Sequence, residues 1–310
     1  VTELLSIFVD NIAPILLVAG VGYLVGRNLQ IEPRSLGRLV FNVFSPALVF
    51  YSLLTSQIAG AELGLLILLT VIFELLMALI AYVVMRWQHE STVHRAGVIL
   101  NASCLNAGNY GLSLVHFAFG PEVFARAVIV YIANVVLNNT LGVFVASSGS
   151  KPPRDALKNV LRVPAVYATA AAFLANALHL TLPSALERSV QLLSDAAIPS
   201  MLILLGLQLV QSHGIKKPRL VTISVGLRLV LSPFLATGLA FLFHLNNLAA
   251  AALIIEASTP VAVITLILAS EFGLDEDLTM SSILASTLLS PITLSVLILL
   301  LRQSLLSAGN

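Results

Sequence analysis

The sequence predicts an all-α polytopic membrane protein of ten transmembrane helices, arranged as two inverted five-helix repeats with broken, crossing helices four and nine. Three observations carry that expectation. The composition is apolar, with long apolar runs. Each half holds an odd number of runs. Helix-breaking residues stand at matching places in the two halves.

Of 310 residues, 58% are hydrophobic and 10% charged, against about 25% charged in soluble domains. A soluble globular chain, a disordered chain and a secreted disulfide scaffold are excluded, and the lipid bilayer is the expected surrounding. Runs such as Leu63 to Tyr82 are apolar on every face, unlike the alternating strands of a membrane barrel. A net charge of +1 excludes a nucleic-acid binder on bulk charge. The single cysteine, Cys104, permits neither an intrachain disulfide nor a cysteine cluster for zinc or iron–sulfur, and no cofactor or metal is expected.

A span needs roughly 20 apolar residues. Ten such stretches are read at 10–27, 35–56, 62–86, 95–119, 122–147, 160–180, 186–211, 219–244, 246–271 and 277–301. Ile12 to Gly26 is followed at once by further spans and reads as a helix, not a signal peptide. Breaks carry charge or proline: Arg27–Arg34, Arg86–Arg95, Ser147–Lys158 with Pro152 and Pro153, and Lys216–Arg219, with Pro183 and Glu187 marking the turn between spans six and seven.

The loops after spans one, three, five and seven hold Arg27, Arg34, Arg38, Arg86, Arg95, Lys151, Arg154, Lys158, Arg162, Lys216, Lys217 and Arg219, which are 12 of the 16 basic residues. Positive-inside then places both termini outside the cytoplasm, in a cell (inner) membrane. The loop after span nine is acidic (Glu271, Asp275, Glu276, Asp277) but falls inside by parity.

The halves, 1–150 and 151–310, match at an offset near 150. Pro14 pairs with Pro164, Pro33 with Pro183, and Leu36-x-Arg38 with Leu186-x-Arg188; after a three-residue shift Pro46 pairs with Pro199 and Phe119-Gly120 with Phe272-Gly273. Five spans per half make the repeat inverted, as in secondary transporters.

Span four carries Asn106-Ala-Gly108-Asn109-Tyr-Gly111 at its centre, and span nine carries Ser258-Thr259-Pro260 at the equivalent depth. Glycine weakens a helix interior by about 1 kcal/mol against alanine, and proline removes a backbone donor. Interruptions at mid-membrane are tolerated where they are buried in protein or line a cavity. Half-helix N-termini offer N–H groups and partial positive charge, which suits a small organic anion. Helices are expected to be unwound near Asn106–Gly111 and Ser258–Val261. The candidate substrate residues are Asn106, Gly108, Asn109, Gly111, Ser258, Thr259 and Pro260, joined by Asn42 and Ser45 beside Pro46 and by Asn138 in span five.

Glu256 lies two residues before the second break, where an acid is costly and a candidate for proton or sodium coupling. Glu74 and Arg228, at mid-depth in spans three and eight, are expected to pair with each other or with Glu256, and Asp195 completes the candidate coupling set. Asn134, Asn139, Ser286 and Thr287 read as helix–helix hydrogen bonds. His116 reads as a packed histidine and Trp87, beside Arg86, as an interfacial anchor.

A carrier of small organic anions is therefore set against a sodium- or proton-coupled carrier of the same fold with another cargo. An intramembrane enzyme using Ser113 with His179 or His244 is disfavoured, because those histidines sit near span ends. H-E-x-x-H, G-x-S-x-G and Walker motifs are absent. A channel is disfavoured by the paired interruptions.

Asn106-Ala-Gly-Asn-Tyr-Gly-Leu-Ser-Leu114 resembles the span-four segment of the auxin efflux carrier family, with Ser113 where the family often has proline. Leu36 to Phe50, Ser258-Thr-Pro-Val-Ala262, Ala269-Ser-Glu-Phe-Gly273 and Ser286-Thr-Leu-Leu-Ser-Pro-Ile-Thr293 are similar to the same family. The resemblance covers nearly the whole chain. It implies a scaffold of helices one, two, six and seven that often forms a homodimer, and a moving domain of helices three to five and eight to ten working by elevator-type alternating access. It implies auxin-like or dicarboxylate-like cargo. The short loop after span five looks prokaryotic.

Overall fold

The computed structural model describes residues 2–308 apart from 57, 59, 148–160 and 213. The predicted boundary between the halves at 150, and Lys151, Pro152, Pro153, Arg154 and Lys158, lie outside the described residues.

The described chain forms helices α1 (Thr2–Leu29), α2 (Pro33–Leu54), α3 (Gly60–Trp87), α4 (Thr92–Ser103), α5 (107–118), α6 (Pro121–Ala146), α7 (Pro164–Ala177), α8 (Ser184–Leu209), α9 (Pro218–Leu242), α10 (Asn247–Ala257), α11 (Ile264–Glu271) and α12 (Glu276–Ala308). Seven of them (α1, α2, α3, α6, α8, α9 and α12) are long and apolar enough to cross a bilayer on their own. The stretches expected as spans four and nine are each two shorter helices in series. The expected span six is α7, whose 14 residues reach only about 21 Å. Large apolar side chains face outward, among them Leu17, Phe234 and Phe241 at 70%, 74% and 82% exposed, as lipid-facing surfaces require. Trp87 stands 79% exposed at the end of α3, where an interfacial anchor belongs.

Proline shapes the long helices without ending them. Pro14, Pro46 and Pro233 have no N–H to give to the carbonyls of residues 10, 42 and 229. The chain widens into a π-turn over each of those positions, at Phe8–Ile12, Val40–Phe44 and Leu227–Leu231. Two asparagines beside these turns bond back to the backbone: Asn11 Nδ2 donates to Ile7 O at 2.8 Å and Asn42 Nδ2 to Arg38 O at 2.9 Å. Helix ends are made by single left-handed residues, Gln30, His89, His179 and His244, with φ of 49–54°.

α1 packs along α8, and α2 against α7 and α8. The first contact is backbone to backbone. A Cβ on Gly206 would run into the Ala19 carbonyl, and one on Gly22 into the Ile203 carbonyl, so only glycine permits this approach. α3 packs along α4, α9 along α10, and α6 along α10, around a core that includes Phe73, Tyr110, Ile255 and Ala257.

Charged side chains sort to two faces. On one, Lys217 pairs with Asp275, His94 Nε2 lies 3.3 Å from Asp275, and Lys216 Nζ lies 2.9 Å from Asp277. The acidic loop before α12 thus shares a face with the basic loop before α9, as parity requires. On the other, Glu62 takes Arg126 Nε at 2.5 Å and Asn246 Nδ2 at 3.0 Å.

Candidate substrate site at two interrupted helices

α4 stops at Ser103, and Cys104 to Asn106 leave the helix, Cys104 in extended conformation, before α5 begins at Ala107. α10 stops at Ala257, and residues 258–263 are irregular before α11. The two gaps meet. Leu105 and Val261 form an antiparallel bridge, in which Asn106 N donates to Pro260 O at 3.2 Å and Ala262 N to Cys104 O at 3.3 Å. Each gap thus satisfies backbone groups that the other leaves open. Pro260 accounts for the second gap, since it donates nothing and disfavours helix at Thr259.

The first gap corrects the sequence expectation. Cys104 to Asn106 are the unwound residues, and Gly108 and Gly111 lie in a π-turn of α5, Ala107–Leu112. The glycines serve close packing instead. A Cβ on Gly111 would overlap the Glu256 carboxylate, and Gly108 packs against the Tyr131 ring.

Arg228, fully buried in α9, points at the C-terminal ends of both half-helices. Its Nη1 donates to Ala102 O at 3.0 Å, Nε to Thr259 O at 2.8 Å and Nη2 to Ala257 O. Its guanidinium carbon lies 5.9 Å from the Phe73 ring centroid. The expected ion pair with Glu74 or Glu256 is not formed among the described residues. Glu74 instead accepts from Asn134 Nδ2 at 2.8 Å, and Asn134 Oδ1 takes Asn138 Nδ2 at 3.1 Å. Freed carbonyls at two helix ends offer the arginine three acceptors, more than one carboxylate edge would.

Glu256 is fully buried, and neither carboxylate oxygen has a hydrogen-bond partner. The same holds for Nδ2 of Asn106, both polar atoms of Asn101 and Oγ1 of Thr287. Buried polar atoms are seldom left open, and Glu256, Asn101 and Asn106 carry theirs in or within a few residues of the two gaps. The second gap is self-satisfied by contrast. Ser258 Oγ donates to Ile254 O at 2.6 Å, Thr259 Oγ1 to Glu256 O at 2.7 Å, and Ser286 Oγ on α12 takes Val261 N at 3.0 Å.

The remaining candidates divide. Asn138 is buried with an open Oδ1. Asn109 and Gly108 are half-buried. Ser45 is buried and 2.7 Å from the Tyr131 hydroxyl, linking α2 to α6. Asn42, Asp195 and His116 are exposed, so His116 is not the packed histidine expected. Asn139 bonds to Val135 O. Ser113 Oγ donates to Asn109 O at 3.4 Å while His179 and His244 end helices at the surface, so no serine–histidine pair forms. Asn101 and Tyr131 were not singled out in the sequence. Asn101 stands alone after the apolar run Gly97–Leu100, and that isolation was the available signal.

Paired interrupted helices in an apolar bundle are the architecture of a membrane transport protein. The profile of the family described as "Membrane transport protein" matches residues 154–298. The chain is 28% identical over 293 residues to an "Uncharacterized transporter" of Methanothermobacter thermautotrophicus, covering 92% of this chain and 95% of the relative. It is 26% identical over 305 residues to an "Uncharacterized transporter" of Methanocaldococcus jannaschii, covering 93% and 96%. These findings bear out the resemblance to the auxin efflux carrier family: the chain is similar to prokaryotic membrane transporters over nearly its whole length, and the family model matches its second half.

Proposed function

We propose that this transporter is a secondary carrier that moves a small organic anion, an auxin-like or dicarboxylate-like carboxylate, by alternating access at the meeting of the two gaps. The observation that carries the reading is the pair of interrupted helices tied together beside unpartnered amide donors. Asn106 and Asn101 supply side-chain N–H groups. The first turns of α5 and α11 supply backbone N–H groups that lack intrahelical partners. Each helix start contributes about +0.5 charge, so the site neutralises an anion with dipoles and no free cation.

The reading includes two inverted five-helix repeats. Helix packing supports it: exchanging the halves turns the pair α1–α8 into α7–α2, α3–α4 into α9–α10, and α6–α10 into α12–α4, all of which are in contact. A scaffold of α1, α2, α7 and α8, dimerising through its outer face, would carry the other helices across an inner membrane with both termini extracytoplasmic. The cavity of about 300 Å³ lined by Gln211, Lys216, Leu266, Glu276, Asp277 and Ser281 lies on the basic face and would be the cytoplasmic vestibule.

A second reading, cation- or proton-coupled transport of another cargo, has one observation in its favour: the unpartnered Glu256 carboxylate. A thermal-shift and calorimetry screen of mono- and dicarboxylates, across pH and with sodium exchanged for choline, separates the two. Carboxylate binding that strengthens at lower pH fits the anion reading with a proton on Glu256. Stabilisation by sodium or pH with no response to any carboxylate overturns it.

A further inference from the structure

Carriers with discontinuous helices commonly place a coupling sodium ion among unwound carbonyls and half-helix C-terminal ends. Here such groups converge, and a side chain already stands between them. Ala102 O lies in the last turn of α4, Ala257 O ends α10 and Thr259 O belongs to the unwound gap that follows; all three accept from the one guanidinium of Arg228. Two helix C-termini carry about −0.5 charge each, which together balance one positive charge. No carboxylate lies within ion-pair distance of Arg228 among the described residues.

We propose that Arg228 is a tethered cation that takes the place of a coupling sodium ion at the meeting of the two interrupted helices, so that transport proceeds without sodium. The planar guanidinium reaches acceptors on both interrupted helices at once, which an ammonium with a single nitrogen does less well. The sodium-independence of transport rests on the carrier reading above. The occupation of the cation place does not, and it is read by stability alone.

The test uses purified full chain in detergent. The melting temperature is followed for the parent, Arg228→Lys and Arg228→Ala, in sodium chloride, in choline chloride, and with low-millimolar methylguanidinium. The parent is expected to melt alike in sodium and choline. Arg228→Ala should melt roughly 10 °C lower, because three carbonyls on the two interrupted helices lose their common partner, and methylguanidinium or sodium should restore about half of that loss. Arg228→Lys should fall between the two. Melting of Arg228→Ala at the parent temperature overturns the proposal. So does a parent stabilised by sodium, or a lysine variant as damaged as the alanine variant with no rescue by any cation, which is the behaviour of a packing residue. Should Arg228→Ala fail to fold, the parent's sodium response and the lysine variant decide. Failure of the parent to bind carboxylates would sink the anion reading and leave this result standing.

Discussion

The two interrupted helices reach one geometry by different chemistry. The gap before α5 holds no proline, and its polar side chains are left open: Asn106 Nδ2 has no partner, and neither has Asn101 one turn earlier. The gap before α11 is built on Pro260, and its hydroxyls fold back onto their own turn. The open side-chain amide donors therefore sit on the first gap, and the second gap is the one that proline fixes. The contrast extends to the mid-membrane charges. Glu74 in α3 is held by a side-chain amide of α6, whereas Arg228 in α9 is held by main-chain carbonyls of both interrupted helices.

The steepest way to break this contrast is at Gly111. Gly111→Ala drives a methyl group into the Glu256 carboxylate, and overpacking of that kind costs about 1–3 kcal/mol. The variant should melt several degrees below the parent and lose transport, and Gly111→Ala with Glu256→Ala should recover stability. A single variant as stable as the parent would mean that the two helices do not approach this closely.

Asn106→Ala should weaken carboxylate binding at least about tenfold, or about 1.4 kcal/mol, in calorimetry, with the melting temperature little changed. Thr259→Ala removes a hydroxyl already committed to Glu256 O, and its affinity should stay within about twofold of the parent. Equal losses at both positions would erase the division of labour between the gaps.

Glu256→Gln tests the acid between them. An ionised carboxylate opposes a bound anion and a protonated one does not, so parental affinity should rise as pH falls and the glutamine variant should bind with a flat profile. A flat parental profile would reduce Glu256 to a structural residue. The gentlest perturbation concerns sidedness. Cysteines at the exposed positions Ser35 and Ser91 should label from the cytoplasm, and one at the exposed Ser184 from the other side. The reverse pattern would invert the orientation.

The places where the helices stop were largely legible because proline, glycine and the basic loops leave local marks. The second gap was placed within two residues, since Pro260 acts through its own missing N–H. The first was placed several residues late, because Gly108 and Gly111 look like breakers but are there for contact with Tyr131 and Glu256. That contact is a matter of tertiary approach, which no local pattern records. Arg228 was found by its depth, but its partners were misassigned. Sequence suggests carboxylates for a buried arginine, whereas the acceptors here are carbonyls that exist only once two helices have ended side by side.

The bridge between Leu105 and Val261 amounts to one rung of β-ladder inside a helical bundle. Its two backbone bonds lock the gaps in register, and neither helix can slide along the other without first leaving main-chain groups bare in an apolar interior, at a cost of several kcal/mol. Displacement must then take both gaps together as one rigid unit. The four main-chain atoms of that rung make two separate interruptions into a single mechanical part.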